Sequence, residues 1–361
     1  MNVCIIGWYG TETLGDRAIL NGIVNLLDSK YGTCKKYLAS LYPFYTERCL
    51  LEDYCKYNPN IEIFDFKNTS DLRETIKKSD IVIMGGGPLM DISEVSLIKK
   101  AFVFGKKYGK RNVLLGVGIG PLNSRVFLGV VKDILKLTDV GVFRDSNSCN
   151  FANRINPNGK YLVGFDPAVI SIRNHKVVKN NKNCLVLNFR TLTSEYKTGY
   201  GLPMNDVVKL IDKASEIYDY VEMVPMHTFF IGGDDRNILN VLSKKCNKDN
   251  VVVDFKPLGL NEIYDVYMNA KACIGMRYHS VVMQTLLNGN NYIIDYTDPI
   301  TGKIQSFLND LNILDFYSDR YYSCVKDSEF KIDKCLEILK RGERLEISSD
   351  VFDINVLLEN V

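Results

Sequence analysis

Only three histidines occur in this 361-residue chain, so the context of each one is informative. His279 lies in GMRYHSVVMQTLL, where an apolar run ends and an apolar helical pattern starts, and Arg277 precedes it by two residues. An imidazole beside a guanidinium suits proton transfer at an anionic substrate, because the cation can hold the anion while the imidazole moves the proton. A structural histidine is the alternative. His227 follows the run YVEMVPM, where a ligand-facing residue and a hydrogen-bonded turn histidine are equally good interpretations, and His175 is expected to be solvated.

Two arginines also come directly after apolar runs. Arg144 follows VGVF, and Arg190 ends the segment LVLNFR. The planar guanidinium binds phosphate or carboxylate through two parallel hydrogen bonds, whereas its alternative role is to pair with a neighbouring acid, Asp145 in the case of Arg144. Together with His279, these arginines predict a site for a small, multiply charged anion.

Glycines cluster where the predicted strands of the first half end. The clusters are Gly7 and Gly10, then Gly85, Gly86 and Gly87, and then Gly116, Gly118 and Gly120. Glycine at such positions lets backbone N–H groups approach an anion or a sugar closely, although each cluster alone is equally compatible with a tight turn. None has the ending of a phosphate-binding P-loop, and no ordered GxGxxG occurs with a downstream acid. The pattern therefore argues against nucleotide hydrolysis and hydride transfer.

Short apolar runs that alternate with helical periodicity must position these residues. In the first half, helices are predicted near 16–27, 93–107, 124–137 and 146–153, between the runs VCIIG, DIVIMGGG, NVLLGVGIG and VGVFRD. In the second half they are predicted near 205–217, 235–245 and 261–269, between CLVLNFR, YVEMVP, NVVVDF, ACIGMRYHS and NYIIDY. The alternation predicts an α/β protein of two Rossmann-like, doubly wound domains that face each other across a cleft, at residues 1–175 and 183–361. The polar, basic stretch at about 173–183 is the predicted linker, and the terminal helices are assigned to the second domain.

Composition and charge exclude several classes of protein. A formal net charge of +2 gives no reason to expect nucleic-acid binding, and no apolar run is long enough for a signal peptide or a membrane span, so a cytoplasmic location is expected. The ten cysteines lie in apolar contexts without CxxC pairs or metal-ligand spacing. Buried free thiols are therefore expected, and a metal site is not.

Seven segments, in order along the chain, resemble the polysaccharide pyruvyl transferase family. GWYGTETLGDRAIL resembles its opening glycine-rich strand, turn and helix, GGGPLMD its triple-glycine turn, GVGIGPL its Gly-x-Gly-x-Gly-Pro turn, and RDSNS its Arg-Asp-x-x-Ser segment. GFDPAV resembles the Asp-Pro turn that closes the first domain, MRYHS the Arg-x-His motif, and DYTDPITGKIQSF the Tyr-Asp-Pro-Lys stretch. Two segments depart from the family pattern. The first reads Leu14-Gly15-Asp16-Arg17 where Asn-Gly-Asp and an acid are usual, and the last is expanded to DPITGK.

The resemblance implies transfer of a pyruvyl group from phosphoenolpyruvate to two hydroxyls of a sugar in a cell-surface or exopolysaccharide precursor, giving a cyclic ketal and free phosphate. It implies phosphoenolpyruvate as the donor substrate, with no separate cofactor. It places the donor site at Arg144, His279 and Lys303, with Arg277 beside His279. His279 is then the candidate acid that protonates the methylene carbon of the donor, while the cations hold its carboxylate and phosphate.

Other residues would meet the sugar acceptor. Asp16 is the first candidate for the base that activates a sugar hydroxyl, with helix capping as its alternative role, and Asp166 is the second candidate. Trp8 and Tyr9 could stack on a sugar face or pack in the core. A lipid-linked acceptor would bring the protein to the inner face of the membrane as a peripheral protein. The residues predicted to line the acceptor side of the site are Gly10, Gly86, Gly87, Gly118, Asp166, Arg190 and His227.

Two other functions stay open at the level of the sequence. One is a glycosyltransferase of the same two-domain architecture, which would use a nucleotide-sugar donor and release a nucleoside diphosphate. The other is a non-catalytic protein that binds sugars or phosphorylated metabolites, for which replacement of His279 would leave function intact. The ordered set of motifs favours the pyruvyl transferase.

Overall fold

The computed structural model divides into two compact units, each an α/β structure with a parallel sheet. The residues that it describes are 1–54, 60–176, 180–192 and 202–361. Unit 1 comprises Met1–Glu12, Asp16–Asn174 and Ser349–Val361. Unit 2 comprises Thr13–Gly15 and His175–Ser348. The predicted fold class of two Rossmann-like α/β domains is confirmed.

Unit 1 is built from a parallel sheet whose strand order is β3-β2-β1-β4-β6-β7-β8, with β5 paired to β6. The strands are β1 (Asn2–Ile6), β2 (Lys35–Ser40), β3 (Ile61–Asp65), β4 (Ile81–Gly85), β5 (Pro88–Leu89), β6 (Arg111–Ile119), β7 (Val140–Phe143) and β8 (Tyr161–Val163). The helices between them are α1 (Leu14–Tyr31), α2 (Pro43–Tyr54), α3 (Thr69–Lys78), α4 (Val95–Lys107), α5 (Arg125–Leu137), α6 (Ser146–Ile155) and α7 (Ala168–Arg173). The central strands β1, β4 and β6 are apolar and buried almost throughout, as expected for a parallel sheet covered on both faces.

Unit 2 repeats this arrangement with the strand order β11-β10-β9-β12-β13-β14, again with parallel neighbours. The strands are β9 (Cys184–Asn188), β10 (Tyr220–Met223), β11 (Val251–Val253), β12 (Ala272–Gly275), β13 (Asn291–Asp295) and β14 (Tyr321–Ser323). The helices are α8 (Met204–Ser215), α9 (Asp235–Cys246), α10 (Leu260–Asn269), α11 (Tyr278–Leu287), α12 (Lys303–Asp310) and α13 (Ile332–Arg341).

The end of the chain differs from the predicted domain division. A short 3-10 helix (Ser349–Val351) and α14 (Ile354–Leu358) group with unit 1, whereas the sequence assigned every residue from 183 onward to the second domain. Lys30 on α1 donates hydrogen bonds to the carbonyl oxygens of Leu358 and Val361, and Leu357 is fully buried. Within the predicted linker, residues 177–179 lie outside the described residues.

The cysteines in the described part of the chain are buried free thiols, as their apolar contexts predict. Burial raises the pKa of Cys4 to about 12, so its thiol stays protonated and unreactive. No helix among the described residues is both long and apolar enough to cross a membrane.

Candidate active site

The site residues of unit 2 lie at the point where the strand order of its sheet reverses. The chain runs from β9 outward to β11 and then crosses to β12 on the other side of β9, so β9 and β12 are neighbours at the topological switch point. Doubly wound sheets bind ligands outside the carboxyl ends of the strands at this point. Arg190 follows β9, while Arg277 and His279 follow β12. The predicted arginines and histidine of the second half therefore share one edge of one sheet.

Arg277 is held firmly by a buried carboxylate that the sequence did not single out. Its Nε donates to Asp235 at 2.7 and 3.0 Å, and its Nη2 donates to the same carboxylate at 2.6 Å. Asp235 is 1% exposed and also accepts from the backbone N–H groups of Met226 and His227, both at 3.1 Å. This bidentate pair fixes the guanidinium of the residue that precedes α11.

His279 lies in the first turn of α11 and is partly exposed. Its ring meets the ring of Tyr278 edge to face, with 4.9 Å between the centroids. Gly15 lies directly against the same imidazole, because a Cβ atom at Gly15 would lie 1.9 Å from His279 Nδ1. The glycine of the Leu-Gly-Asp segment therefore has a specific role, which is to leave space for this imidazole.

Of the two interpretations of His227, the structure shows the hydrogen-bonded histidine. It is 5% exposed, its Nδ1 lies 2.7 Å from Thr13 Oγ1, and its Nε2 lies 2.7 Å from the carbonyl oxygen of Ile231. Because a carbonyl oxygen can only accept, Nε2 carries the proton and Nδ1 accepts from the threonine hydroxyl. Burial, assisted by the charge of Arg277, lowers the pKa of His227 to about 4, so the ring is neutral at physiological pH.

Unit 2 is expected to lose stability in acid because of His227. The folded-state pKa lies below the ordinary value of about 6.5, so the unfolded chain binds the proton first and stability falls as pH falls from 6.5 toward 4. Between about pH 7 and pH 5 the loss is about 2 kcal/mol. Urea unfolding of wild type and His227→Gln at both pH values checks this. The variant should lack this part of the pH dependence, and an identical dependence in both proteins would contradict the assignment.

His175 is not solvated, contrary to the expectation from its polar context. Its imidazole is 6% exposed and lies 3.1 Å from Asn261 Oδ1 and 2.8 Å from Asp265 Oδ1, and its ring meets the ring of Tyr264 edge to face. The expectation was wrong because it rested on the polar residues around His175 in sequence, whereas the residues that contact its ring lie on α10, far along the chain.

Lys303 and Arg190 approach the same buried tyrosine. Tyr296 follows β13 and is 2% exposed, and Arg190 Nη1 donates to its hydroxyl at 3.2 Å. The Lys303 ammonium lies 5.5 Å from the centroid of the Tyr296 ring and 5.9 Å from that of Tyr278. Sequence analysis did not single out Tyr296, although it opens the Tyr-Asp-Pro-Lys stretch.

The expanded DPITGK loop is ordered by one carboxylate. Asp298 Oδ1 accepts from the backbone N–H groups of Ile300 at 3.0 Å and Thr301 at 2.7 Å, and from the Thr301 hydroxyl at 2.9 Å. Gly302 is the N-cap of α12, and Lys303 is the first residue of that helix. The insertion therefore forms a compact turn, and the ammonium still lies over the two aromatic rings at the edge of the sheet.

Arg144 is the centre of the corresponding edge in unit 1. It follows β7, its side chain is 3% exposed, and its Nη1 donates to Asp166 at 3.1 Å. Asp166 is 4% exposed and also accepts from the backbone N–H of Ala168 at 3.0 Å. A Cβ at Gly118 would lie 2.8 Å from Arg144 Nε, so this glycine makes room for the guanidinium. Asp145 caps α6 by accepting from Ser148 N at 2.7 Å, with its carboxylate 3.8 Å from Arg144.

The first two glycine clusters have packing reasons of their own. Gly86 and Gly87 adopt φ values of +61° and +67°, which favour glycine, and a Cβ at Gly87 would lie 2.2 Å from Trp8. Gly10 adopts a φ of +95°, and a Cβ there would lie 2.7 Å from the backbone nitrogen of Tyr42. Backbone conformation and packing require glycine at Gly10, Gly86 and Gly87, and their place on the acceptor side stays a prediction, whereas Gly118 contacts the predicted site residue Arg144.

Trp8 and Tyr9 pack in the core rather than presenting a surface for a sugar. They are 8% and 3% exposed, and their polar atoms donate to the carbonyl oxygens of Pro88 at 3.0 Å and Gly85 at 2.8 Å. Burial, then the charges of Asp16 and Asp166, hold the pKa of Tyr9 well above its usual value. The charges of both candidate bases, Asp16 and Asp166, therefore raise the pKa of the same phenol. Asp16 is partly exposed in the first turn of α1.

A family model for polysaccharide pyruvyl transferases matches residues 14–299, which is most of the chain and includes Arg144 and His279. The chain belongs to the polysaccharide pyruvyl transferase family. Membership supports a transferase that acts in polysaccharide biosynthesis. No curated protein sequence matches this pyruvyl transferase family member significantly.

Solved structures share the fold over nearly the whole chain. UDP-GlcNAc 2-epimerase from Methanocaldococcus jannaschii matches with a TM-score of 0.65 and 13% identity, over 99% of this chain and 98% of the epimerase. UDP-N-acetylglucosamine 2-epimerase from Rickettsia bellii matches with a TM-score of 0.57 and 10% identity, over 98% and 89%. A glycosyltransferase from Rickettsia africae matches with a TM-score of 0.52 and 14% identity, over 99% and 95%. At such identities the likeness shows the fold alone, which is the two-domain architecture of glycosyltransferases and epimerases.

Proposed function

We propose that this family member transfers the pyruvyl group of phosphoenolpyruvate to two hydroxyls of a sugar in a polysaccharide precursor, forming a cyclic ketal and releasing phosphate. One structural observation carries the proposal. His279 lies in the N-terminal turn of α11, two residues after Arg277, whose guanidinium is fixed by Asp235, on the sheet edge that also carries Arg190 and Lys303. Cations and helix N-termini favour a multiply charged anion, and the imidazole is placed to exchange a proton with it.

The residue types fit each step of this transfer. His279, as imidazolium, gives a proton to the methylene carbon of the donor, and the first sugar hydroxyl attacks the neighbouring enol carbon. The second hydroxyl then displaces phosphate from the same carbon and closes the ketal. The two hydroxyls release two protons in all, of which one replaces the proton given by His279 and the other leaves with phosphate. Lys303 and Arg190 would offset the charge that develops on the departing phosphate.

In unit 1 we assign Arg144 to the donor and Asp16 to the acceptor. Arg144 is the arginine to which the family resemblance attributes donor binding, and its burial beside Asp166 keeps its guanidinium in one orientation. Asp16, partly exposed in the first turn of α1, is the candidate for the base that takes a hydroxyl proton, whereas Asp166 holds Arg144. Phosphoenolpyruvate is a substrate here, and the reaction needs no separate cofactor.

Turnover of phosphoenolpyruvate tests the proposal. The full chain is incubated with phosphoenolpyruvate and a panel of sugars, and phosphate release is followed by phosphorus NMR together with the mass of each acceptor. The expected result is phosphate release in step with an acceptor mass gain that matches a pyruvate ketal. Saturable binding of a nucleotide sugar, with neither turnover nor binding of phosphoenolpyruvate, would contradict the proposal and favour a glycosyltransferase. Saturable binding of phosphoenolpyruvate that never leads to turnover would favour a non-catalytic binding protein.

Gly15→Ala is expected to reduce turnover because the new methyl group displaces His279. A Cβ at Gly15 would lie 1.9 Å from His279 Nδ1, far inside van der Waals contact, so the ring must move away from its position. A displacement of about 1 Å can cost about 100-fold in rate, which initial rates of phosphate release would measure. Gly129→Ala on α5 is the matched control, because a Cβ there meets no atom within 4 Å. Equal rates for both variants would show that the imidazole position does not matter.

A further inference from the structure

Tyr296 sits among more positive charge than a phenol normally meets. It follows the buried strand β13, and Arg190 both donates to its hydroxyl at 3.2 Å and places its guanidinium carbon 5.1 Å from the ring centroid. Lys303, the first residue of α12, places its ammonium 5.5 Å from the same centroid. Two of the cations that the proposed function assigns to the donor therefore lie against the Tyr296 ring.

We infer that Tyr296 is a positioning residue that controls the anion affinity of unit 2 through the protonation of its hydroxyl. As a neutral phenol it leaves the charges of Arg190 and Lys303 to bind a phosphate or carboxylate group. As a phenolate it neutralises them and excludes the anion. The anion's identity as phosphoenolpyruvate rests on the proposed function, whereas the coupling between anion binding and the Tyr296 proton does not.

The neighbouring charged groups differ in what they contribute. Arg277 adds a third positive charge near Tyr296, but its guanidinium is matched by the buried carboxylate of Asp235. Asp295 precedes Tyr296 in sequence and is turned to other partners, with Oδ2 accepting from Tyr321 at 2.6 Å and Oδ1 accepting from Thr297 at 2.7 Å. Burial raises the pKa of the Asp295 carboxyl.

His227 on the same unit is neutral because burial lowers its pKa to about 4. It does not change charge in the range where Tyr296 would ionise. Arg190 and Lys303 therefore remain the groups whose charge the Tyr296 phenolate would neutralise directly.

Burial and the neighbouring charges together set the pKa of the Tyr296 hydroxyl within the pH range of ordinary experiments. Burial raises the pKa of the hydroxyl, but the charges of Lys303, Arg190 and Arg277 and the hydrogen bond from Arg190 outweigh burial and lower the pKa to about 8. At other buried tyrosines burial raises the pKa, for example that of Tyr317 to about 12 and that of Tyr161 above its ordinary value. Tyr296 should therefore ionise at a lower pH than these tyrosines.

Binding and ionisation must influence each other equally. An anion held by Arg190 and Lys303 weakens their attraction for the phenolate, so it raises the pKa of Tyr296, and the phenolate lowers the affinity for the anion by the same factor. If binding and ionisation exclude each other, the affinity falls by about tenfold for each pH unit above the pKa.

A titration of tyrosinate absorbance in the near ultraviolet tests the inference in the intact full-length chain. One tyrosine is expected to ionise near pH 8, and saturating phosphoenolpyruvate or inorganic phosphate should shift that step upward by about one pH unit or more. Calorimetry should show that the affinity for the same anions falls above that pH. Both effects should be absent from Tyr296→Phe and present in Tyr292→Phe, a control on the same strand whose hydroxyl donates to the carbonyl of Tyr321 at 3.3 Å.

Two results would overturn the inference. One is a wild-type titration in which no tyrosine ionises before the bulk of the tyrosines, and the other is the same pH dependence of anion affinity in wild type and Tyr296→Phe. The wild-type titration decides the matter even if the variant fails to fold. A shift produced by inorganic phosphate without any turnover of phosphoenolpyruvate would support this inference and contradict the proposed function. Turnover of phosphoenolpyruvate without any shift of the tyrosine ionisation would support the proposed function and contradict this inference.

Discussion

His279→Gln is expected to lower kcat for phosphate release from phosphoenolpyruvate by about 100- to 10,000-fold, the usual contribution of a positioned acid or base. Glutamine keeps the approximate size of the side chain and can fill the space beside Gly15, but it cannot give a proton to the methylene carbon. Because Arg190, Arg277 and Lys303 stay in place, KM for the donor should change much less than kcat. Steady-state rates at several donor concentrations separate the two constants.

The control for this experiment is His175→Gln. His175 is bound to Asn261 and Asp265, and the proposed reaction gives it no role. Its variant should keep the wild-type kcat. An unchanged kcat in His279→Gln would remove the acid from the proposed mechanism, and a rise in KM alone would make His279 a binding residue.

Arg144→Ala is expected to lower both the stability of unit 1 and kcat/KM for the donor. Removal of the guanidinium leaves the carboxylate of Asp166, which is 4% exposed, as a buried charge without its arginine. Breaking a buried pair in this way costs about 3–5 kcal/mol. Urea unfolding measures this loss, and initial rates at low donor concentration measure the loss of kcat/KM.

A double variant separates the two roles of Arg144. Asp166→Asn removes the stranded charge while the amide oxygen can still accept from the N–H of Ala168. Arg144→Ala with Asp166→Asn should therefore recover most of the stability but none of the lost kcat/KM. Recovery of both quantities would show that Arg144 serves the fold and not the donor.

The positions of Arg144, Arg190 and His279 follow from the sequence because the fold is parallel. In such a fold every apolar run ends at the same edge of its sheet, so a residue just after a strand can be placed without knowledge of its contacts. The expanded loop before Lys303 did not disturb this logic, since Asp298 folds the insertion into a local turn.

The sequence did not predict which side chains contact these residues, because the contacting residues lie on elements that are distant along the chain. Asp235 is 42 positions before Arg277, and nothing in a helix-starting Asp-Asp pair reveals that it holds an arginine. Tyr296 looks like a core residue after a buried strand, and only the approach of Arg190 from β9 and Lys303 from α12 distinguishes it.

The strand β3, at one edge of the unit 1 sheet, and its neighbour β2 were the elements least visible in the sequence. β2 begins with two lysines, and Lys36 is fully buried because its ammonium pairs with Asp28 on α1. β3 reads IEIFD, whose exposed and half-buried positions give no continuous apolar run. Strands at or next to the edge of a parallel sheet are less completely covered, and so they lose the apolar pattern on which the prediction depends.

The central claim is tested most directly by following the enol carbon of the donor. Phosphoenolpyruvate carrying a carbon-13 label at that carbon is incubated with the protein and an accepted sugar, and the product is examined by carbon NMR. The account predicts that the label appears as a ketal carbon bonded to two oxygens of the sugar, in an amount equal to the phosphate released. Label that stays in phosphoenolpyruvate, or that appears as free pyruvate with an unmodified sugar, would contradict it.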